Sequence, residues 1–188
     1  MNAENDGTRP AQGLAEPTSA PAGAIYRLDW DSGRVAEPAT VSFSAGKRAI
    51  PILDDPHWDC ELSPVLVGHI RSIRRLLIQR GWTPAIPVGS ARRTIAQQMR
   101  LLAAGQSRTL RSRHLTGHAA DIVPAFWGWD APLEYWLLLG RLAEREGLTW
   151  GGYWGLRAKH RAILRAAIAD GEHCATLRIG WDPAHVEL

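Results

Sequence analysis

A chain of 188 residues, 45% hydrophobic and 22% charged, is long enough for one domain with an appendage and can bury its own core without staples. Its two cysteines, Cys60 and Cys174, are far apart and form no CxxC, which argues against a disulfide framework. The formal net charge of +3 hides an asymmetry: residues 61–113 hold ten arginines and a single acid, Glu61. Such a face attracts a polyanion, an anionic wall polymer for instance, or is simply a solvated helix surface. No RNA-binding signature, zinc finger or basic zipper is present, so nucleic acid is not an expected partner. No run approaches the ~20 apolar residues of a membrane span. The opening Met-Asn-Ala-Glu-Asn-Asp-Gly lacks a basic and an apolar region, so no secretory signal is expected.

Residues 1–23 are rich in Ala, Pro, Gly and Glu and are expected to be a disordered arm. Residues 24–60 read as an N-terminal extension. Within 24–53, Ile25, Leu28, Trp30, Val41 and Phe43 alternate weakly around an Asp31-Ser32-Gly33 turn, which predicts a small hairpin. Asp54-Asp55-Pro56 breaks the chain. A helix is predicted from Ser63 as cap and Pro64 as first residue to Gly81, with Val67, Ile70, Ile73 and Leu77 as its apolar stripe. A short strand at 85–88 and a helix over 94–104, stopped by Gly105, follow. A buried strand is predicted at Ala119 to Val123, a loop with Trp127 and Trp129 at 124–130, and a helix over 132–146. A strand at 148–150, a basic helix over 156–169, and short strands at 177–179 and 186–188 complete the chain. Strands and helices mix without a βαβ rhythm, which predicts an α+β fold.

The chemistry concentrates in Ser112 to Asp121. Catalytic zinc commonly takes three protein ligands and leaves a fourth position for water, whose pKa falls to about 7. A nearby carboxylate must then accept the proton. His114 and His118 are four apart, as in the HExxH helix, but Leu115 stands where that motif needs Glu and Gly117 interrupts it. The alternative pairs His114 with Asp121 across a turn at Gly117. Asp121 lies among Ala119, Ala120, Ile122 and Val123, where a carboxylate is costly unless it is paired or metal-bound. His185, with Asp182 three residues before it, can supply a distant third ligand and a spare acid. Spacing alone does not prove that the two segments meet.

Ser112-x-His114-x-x-Gly117-x-Ala119-x-Asp121 resembles the SxHxxGxAxD signature of the M15 zinc peptidases, which include D-alanyl-D-alanine carboxypeptidases and dipeptidases and phage L-alanyl-D-glutamate endolysins. Ser90-Ala91-Arg92-Arg93-Thr94 with Gln98 is similar to the family's SGxRTxxxQ, Trp150-Gly151-Gly152-Tyr153-Trp154 to WGGDW, and Asp182 to Leu188 to DxPHFEL. The resemblance covers roughly residues 62–188. It implies a Hedgehog/DD-peptidase-like domain over 61–188, a small antiparallel sheet flanked by helices, with 155–180 as a helical insertion. It implies one Zn²⁺ held by His114, Asp121 and His185, with Asp182 as general base. Arg93 would face the scissile carbonyl oxygen or a substrate carboxylate, and Ser112 would orient the site by a hydrogen bond. His118 falls at a variable position and is not carried over. Ala91, Tyr153, and Ala184 and Val186 beside His185 depart from the family pattern without removing a ligand or the base.

The expected activity is hydrolysis of the L-alanyl-D-glutamate bond of the peptidoglycan stem peptide by a monomeric endolysin-type enzyme. It would be made in the cytoplasm and reach the wall after holin-type release. The Asp-x-x-His spacing favours this over the carboxypeptidase branch, which resembles Glu-x-x-His. The alternatives are a D,D-carboxypeptidase or dipeptidase, and a non-catalytic zinc-containing wall-binding module. Trp127, Trp129 and Trp154 are candidates for lining a glycan or peptide groove.

Overall fold

The computed structural model describes residues 25–27, 51–174 and 177–188. The expected arm at 1–23 and most of the expected hairpin at 24–53 lie outside the described residues. The hairpin's described strand, β1 (Ile25–Arg27), pairs antiparallel with β6 (Glu172–Cys174).

Helices form where capping chemistry places them. A short α1 (Trp58–Glu61), which the sequence pattern does not announce, precedes α2 (Pro64–Gln79). Ser63 accepts the Leu66 N–H on its Oγ at 3.3 Å, and Pro64 takes the first helical position, where its missing N–H costs nothing. Leu66, Val67, Ile70, Ile73 and Leu77 bury the stripe. Helix α3 (Ile95–Ala103) begins with a reciprocal cap: Thr94 Oγ1 accepts from the Gln97 N–H and Gln97 Oε1 from the Thr94 N–H. Helix α4 (Leu133–Arg145) is apolar on nearly every side from Tyr135 to Ala143, and such a helix belongs at the centre. It packs against α2, against α5 (Ala158–Asp170) and against β5 (Thr149–Trp150).

The remaining strands are β2 (Pro84–Ala85), β3 (Ala119–Asp121), β4 (Val123–Pro124) and β7 (His185–Glu187). β2 pairs with β4, and β7 is the middle strand of an antiparallel sheet ordered β3-β7-β5. The architecture is α+β. The strand expected at 119–123 divides at Ile122, whose N–H turns to the Ala184 carbonyl at 2.9 Å. The strand expected at 177–179 does not form: Leu177 and Ile179 pack on the core, while Gly180 N–H donates to Gly152 O instead of joining a ladder. Residues 51–60 are stitched to the body through Ile52 N–H to Ala125 O and Asp55 N–H to Ile86 O, both 2.7 Å.

The sheet register sets up everything that follows. Ala120 is paired with Val186, and Val186 with Trp150; all three are buried and face the α4 side of the core. One residue along, Asp121 is paired with His185. Side chains alternate across a strand, so these two polar groups leave the opposite face together.

Candidate metal centre

His114 is presented by a tight 3-10 turn, Arg113–Thr116. Ser112 Oγ accepts the His114 N–H at 3.3 Å and starts the turn; Gly117, at φ 69°, ends it. Only glycine suits that place, because a Cβ there would also lie 2.7 Å from the Glu61 carbonyl oxygen. Gly117 O in turn accepts the Ser63 N–H at 2.9 Å, fastening the turn to the start of α2. Asp121 and His185 arrive as cross-strand neighbours on β3 and β7. Residues 64 and 71 positions apart in sequence thereby meet: His185 Nδ1 lies 3.2 Å from Asp121 Oδ1 and 3.1 Å from His114 Nε2. His114 Nε2 closes the triangle, 3.3 Å from Asp121 Oδ1.

The hydrogen bonds around the triangle determine what it can hold. His114 Nδ1 is 2.7 Å from Ala91 O, so Nδ1 carries the proton and donates, leaving a lone pair on Nε2. His185 Nε2 is 3.2 Å from Glu187 Oε2 and donates likewise, which makes Nδ1 the nitrogen that can ligate once its own proton has left. Two imidazole nitrogens and a carboxylate oxygen therefore converge in a region where each residue is at most 5% exposed. Once His185 gives up its second proton, such a buried set of acceptors could hold a metal ion. A tetrahedral zinc with bonds of about 2.0–2.1 Å puts its ligand atoms roughly 3.3 Å apart, close to the spacing observed. The donor set of two imidazoles and one carboxylate fits that ion, and both histidines have the outer oxygen partner that ligating histidines use.

Charge placement supports the same reading. Burial opposes ionisation of Asp121, yet His114 and His185 hold its carboxyl well below the usual carboxylate range. Arg93 donates from Nη2 to Asp121 Oδ2 at 2.5 Å and from Nε to Gly89 O at 2.7 Å, which turns the other oxygen, Oδ1, toward the histidines. Burial also works against charge on His185, but hydrogen bonds to Asp121 and Glu187 outweigh it and lift its pKa to about 9. Asp182 stands apart from the triangle and behaves oppositely. Burial, then the nearby Asp121 charge, push it up to about 6. Its carbonyl accepts the His185 N–H at 3.3 Å, and Gly151 packs so closely that a Cβ would strike that carbonyl.

The triangle, Asp182, Arg93 and Ser112 all border one cleft of about 690 Å³. His118 lies outside the cluster, its Nδ1 against Thr116 Oγ1 at 2.9 Å. Of the three candidate groove tryptophans, Trp129 and Trp154 line the cleft and Trp127 does not. Two residues there escaped sequence reasoning. Glu187 is two places from His185 in a strand, a spacing that puts both on one face and could have flagged it. Trp181, beside Asp182, carries no sequence signal of its own. Among the described residues no helix is long and apolar enough to cross a membrane.

Comparison with known proteins gives two findings. The model of an M15 peptidase family described as D-alanyl-D-alanine carboxypeptidase matches residues 105–159. Among solved structures, the Serratia marcescens L-Ala D-Glu endopeptidase ChiX is similar at 31% identity, over 69% of this chain and 81% of that one, with a TM-score of 0.42. No curated protein matches the chain.

Proposed function

This chain belongs to the M15 peptidase family, and from that premise we propose that it is a zinc-dependent peptidoglycan peptidase cutting the L-alanyl-D-glutamate bond of the stem peptide. The observation that carries the zinc is the buried triangle of His114 Nε2, Asp121 Oδ1 and His185 Nδ1. The bond assignment is supported by the Asp182-x-x-His185 spacing and by the likeness to a protein described as an L-Ala D-Glu endopeptidase. When bound, zinc supplies Lewis acidity and brings the pKa of a water from 15.7 to about 7. Asp182 takes the proton of the attacking water on its carboxylate and returns it to the leaving amine as the carbon–nitrogen bond breaks. A carboxyl near pKa 6 is suited to both transfers at neutral pH. Arg93 positions Asp121 and adds a fixed positive charge to the cleft wall where negative charge develops on the carbonyl oxygen. Ser112 acts by capping the turn that carries His114.

In this reading the enzyme is of the endolysin type, monomeric, and admitted to the wall by a holin. The exposed cations of α5, Lys159, Arg161 and Arg165, suit an anionic wall polymer. A D,D-carboxypeptidase is the second reading, favoured by the description of the matching family. Digestion of purified peptidoglycan with zinc-loaded protein separates the two by mass spectrometry. New amino-terminal D-glutamate or D-isoglutamine is the expected product, free D-alanine would establish the second reading, and no cleavage would sink both.

Metal affinity should carry the mark of His185. Its proton must leave before Nδ1 can ligate, and that proton is held up to about pH 9. Below about pH 9 apparent zinc affinity should weaken roughly tenfold per pH unit, as one proton is released per ion bound. Competition against a chromophoric chelator at several pH values measures the slope, and a flat profile would remove His185 from the ligand set.

A further inference from the structure

The aromatic side of the cleft is not used by the chemistry above. Trp154 lies against the centre, its ring 4.7 Å from the His185 ring between centroids and tilted by 43°. Trp181 follows at 5.3 Å from Trp154, and Trp129 borders the same space with 56% of its surface exposed. The arrangement is built into the backbone. Gly180 N–H donates to Gly152 O and Trp181 N–H to Trp154 O, holding the two tryptophan segments side by side. Gly155 takes φ 79°, and a Cβ there would come within 3.1 Å of the Trp181 ring, so a side chain would be strained and would crowd the indole. Arg108 braces Trp181 with its guanidinium 4.6 Å from the ring centroid. Trp181 nevertheless remains 39% exposed, a large apolar ring kept upright at the edge of a cleft.

We propose that this wall is a saccharide subsite, which takes the muramic acid sugar carried by the alanine of the substrate. The proposal rests on the L-alanyl-D-glutamate reading. In peptidoglycan that alanine is amide-linked to the lactyl group of the sugar, so one residue separates the scissile bond from the glycan. One residue and a lactyl arm span roughly 7 Å of extended chain, which keeps a sugar within the cleft that Trp154 and Trp181 line beside the triangle. A pyranose presents C–H groups of slight positive charge on its face, and these stack on the negative face of an indole. The cleft also has the size that houses drug-sized ligands, about 300–1,000 Å³, more space than the two amino acids flanking one peptide bond fill. A peptide-only site would need no row of indoles.

The test compares two soluble substrates with the full zinc-loaded chain: the free tripeptide L-alanyl-D-glutamyl-diaminopimelate and the same peptide carrying its disaccharide. Wild type should show a kcat/KM about tenfold higher for the glycan-bearing substrate, the size of a favourable ring-stacking contact. Trp181→Ala and Trp129→Ala should bring the ratio of the two kcat/KM values close to one, and Trp181→Tyr should restore it. Equal kcat/KM values in wild type, or a ratio that survives Trp181→Ala, would overturn the subsite while leaving the bond assignment intact. Parallel loss on both substrates would assign the wall to the peptide and overturn it too. Cleavage of neither substrate by wild type would overturn the subsite together with the reading beneath it.

Discussion

Replacing Asp182 by asparagine should lower kcat for peptide hydrolysis by about 10²–10⁴-fold, the range a positioned acid–base group supplies, while zinc stays bound. Asparagine keeps the shape and size of the side chain but cannot accept a proton. The ligand triangle does not include Asp182, and the backbone carbonyl that receives the His185 N–H is unchanged by the substitution. The two readouts therefore separate: metal content by atomic absorption stays at the wild-type level, and turnover collapses. The substitution also removes a group whose pKa burial and the Asp121 charge raise to about 6. The proposed base works in its ionised form, so wild-type activity should fall as pH drops through about 6, and the residual activity of the variant should lack that limb. A variant that turns over at the wild-type rate would take the proton-transfer role away from Asp182.

The largest loss of stability is expected at Trp150. Its indole is 1% exposed and lies between Gly140 of α4 and Gly152, both so close that a Cβ on either would overlap the ring. Its Nε1–H donates to Pro183 O at 2.7 Å, and Tyr153 packs edge-on at 5.3 Å. Trp150→Ala should cost about 3–5 kcal/mol, the range for emptying a buried large aromatic site, out of a total that is typically 5–15 kcal/mol. Urea denaturation monitored by circular dichroism measures it. The Pro183 carbonyl lies between Asp182 and His185, so the same substitution should loosen zinc binding in the fraction that remains folded. A loss below about 1 kcal/mol would mean that the pocket around the ring collapses to fill the space.

How much of this is legible in the sequence depends on what kind of interaction does the work. Helices α2, α3 and α4 are readable because caps such as Ser63 and Thr94 and the apolar stripes are local. The segments that carry His114, Asp121 and His185 stand out by resemblance to an ordered family motif, while their meeting is a matter of cross-strand register that no local pattern encodes. The partners that tune the ligands are harder to see. His114 answers to a backbone carbonyl, that of Ala91, which any residue type would offer. Arg93 reads from the sequence as a group aimed at substrate; in the structure its guanidinium grips Asp121 Oδ2 and the Gly89 carbonyl. Gln98 is buried and ties α3 to Ser107 and to the Thr109 carbonyl, steadying the segment that leads to Ser112, a role that its place in a motif does not disclose. The alternation of Leu177 and Ile179 looks like a strand, yet apolar packing on the core satisfies it without a ladder.

The pairing of Asp121 with His185 gives the centre a built-in proofreading of strand alignment. Because neighbouring residues on a strand face opposite ways, sliding β7 by one place would point Val186 into the cleft and drive the imidazole of His185 among Ala120 and Trp150. Such a slip forfeits apolar burial and ligation in one step, so misaligned forms cannot compete for the ion. The proposed zinc, at a hundredfold excess over its dissociation constant, would add about 2.7 kcal/mol to whichever state binds it. That gain falls to the aligned sheet alone. A sheet whose strands are only two or three residues long, too short to enforce its own alignment by backbone hydrogen bonds, would thus have its correct pairing selected by the proposed ion that the pairing creates a place for.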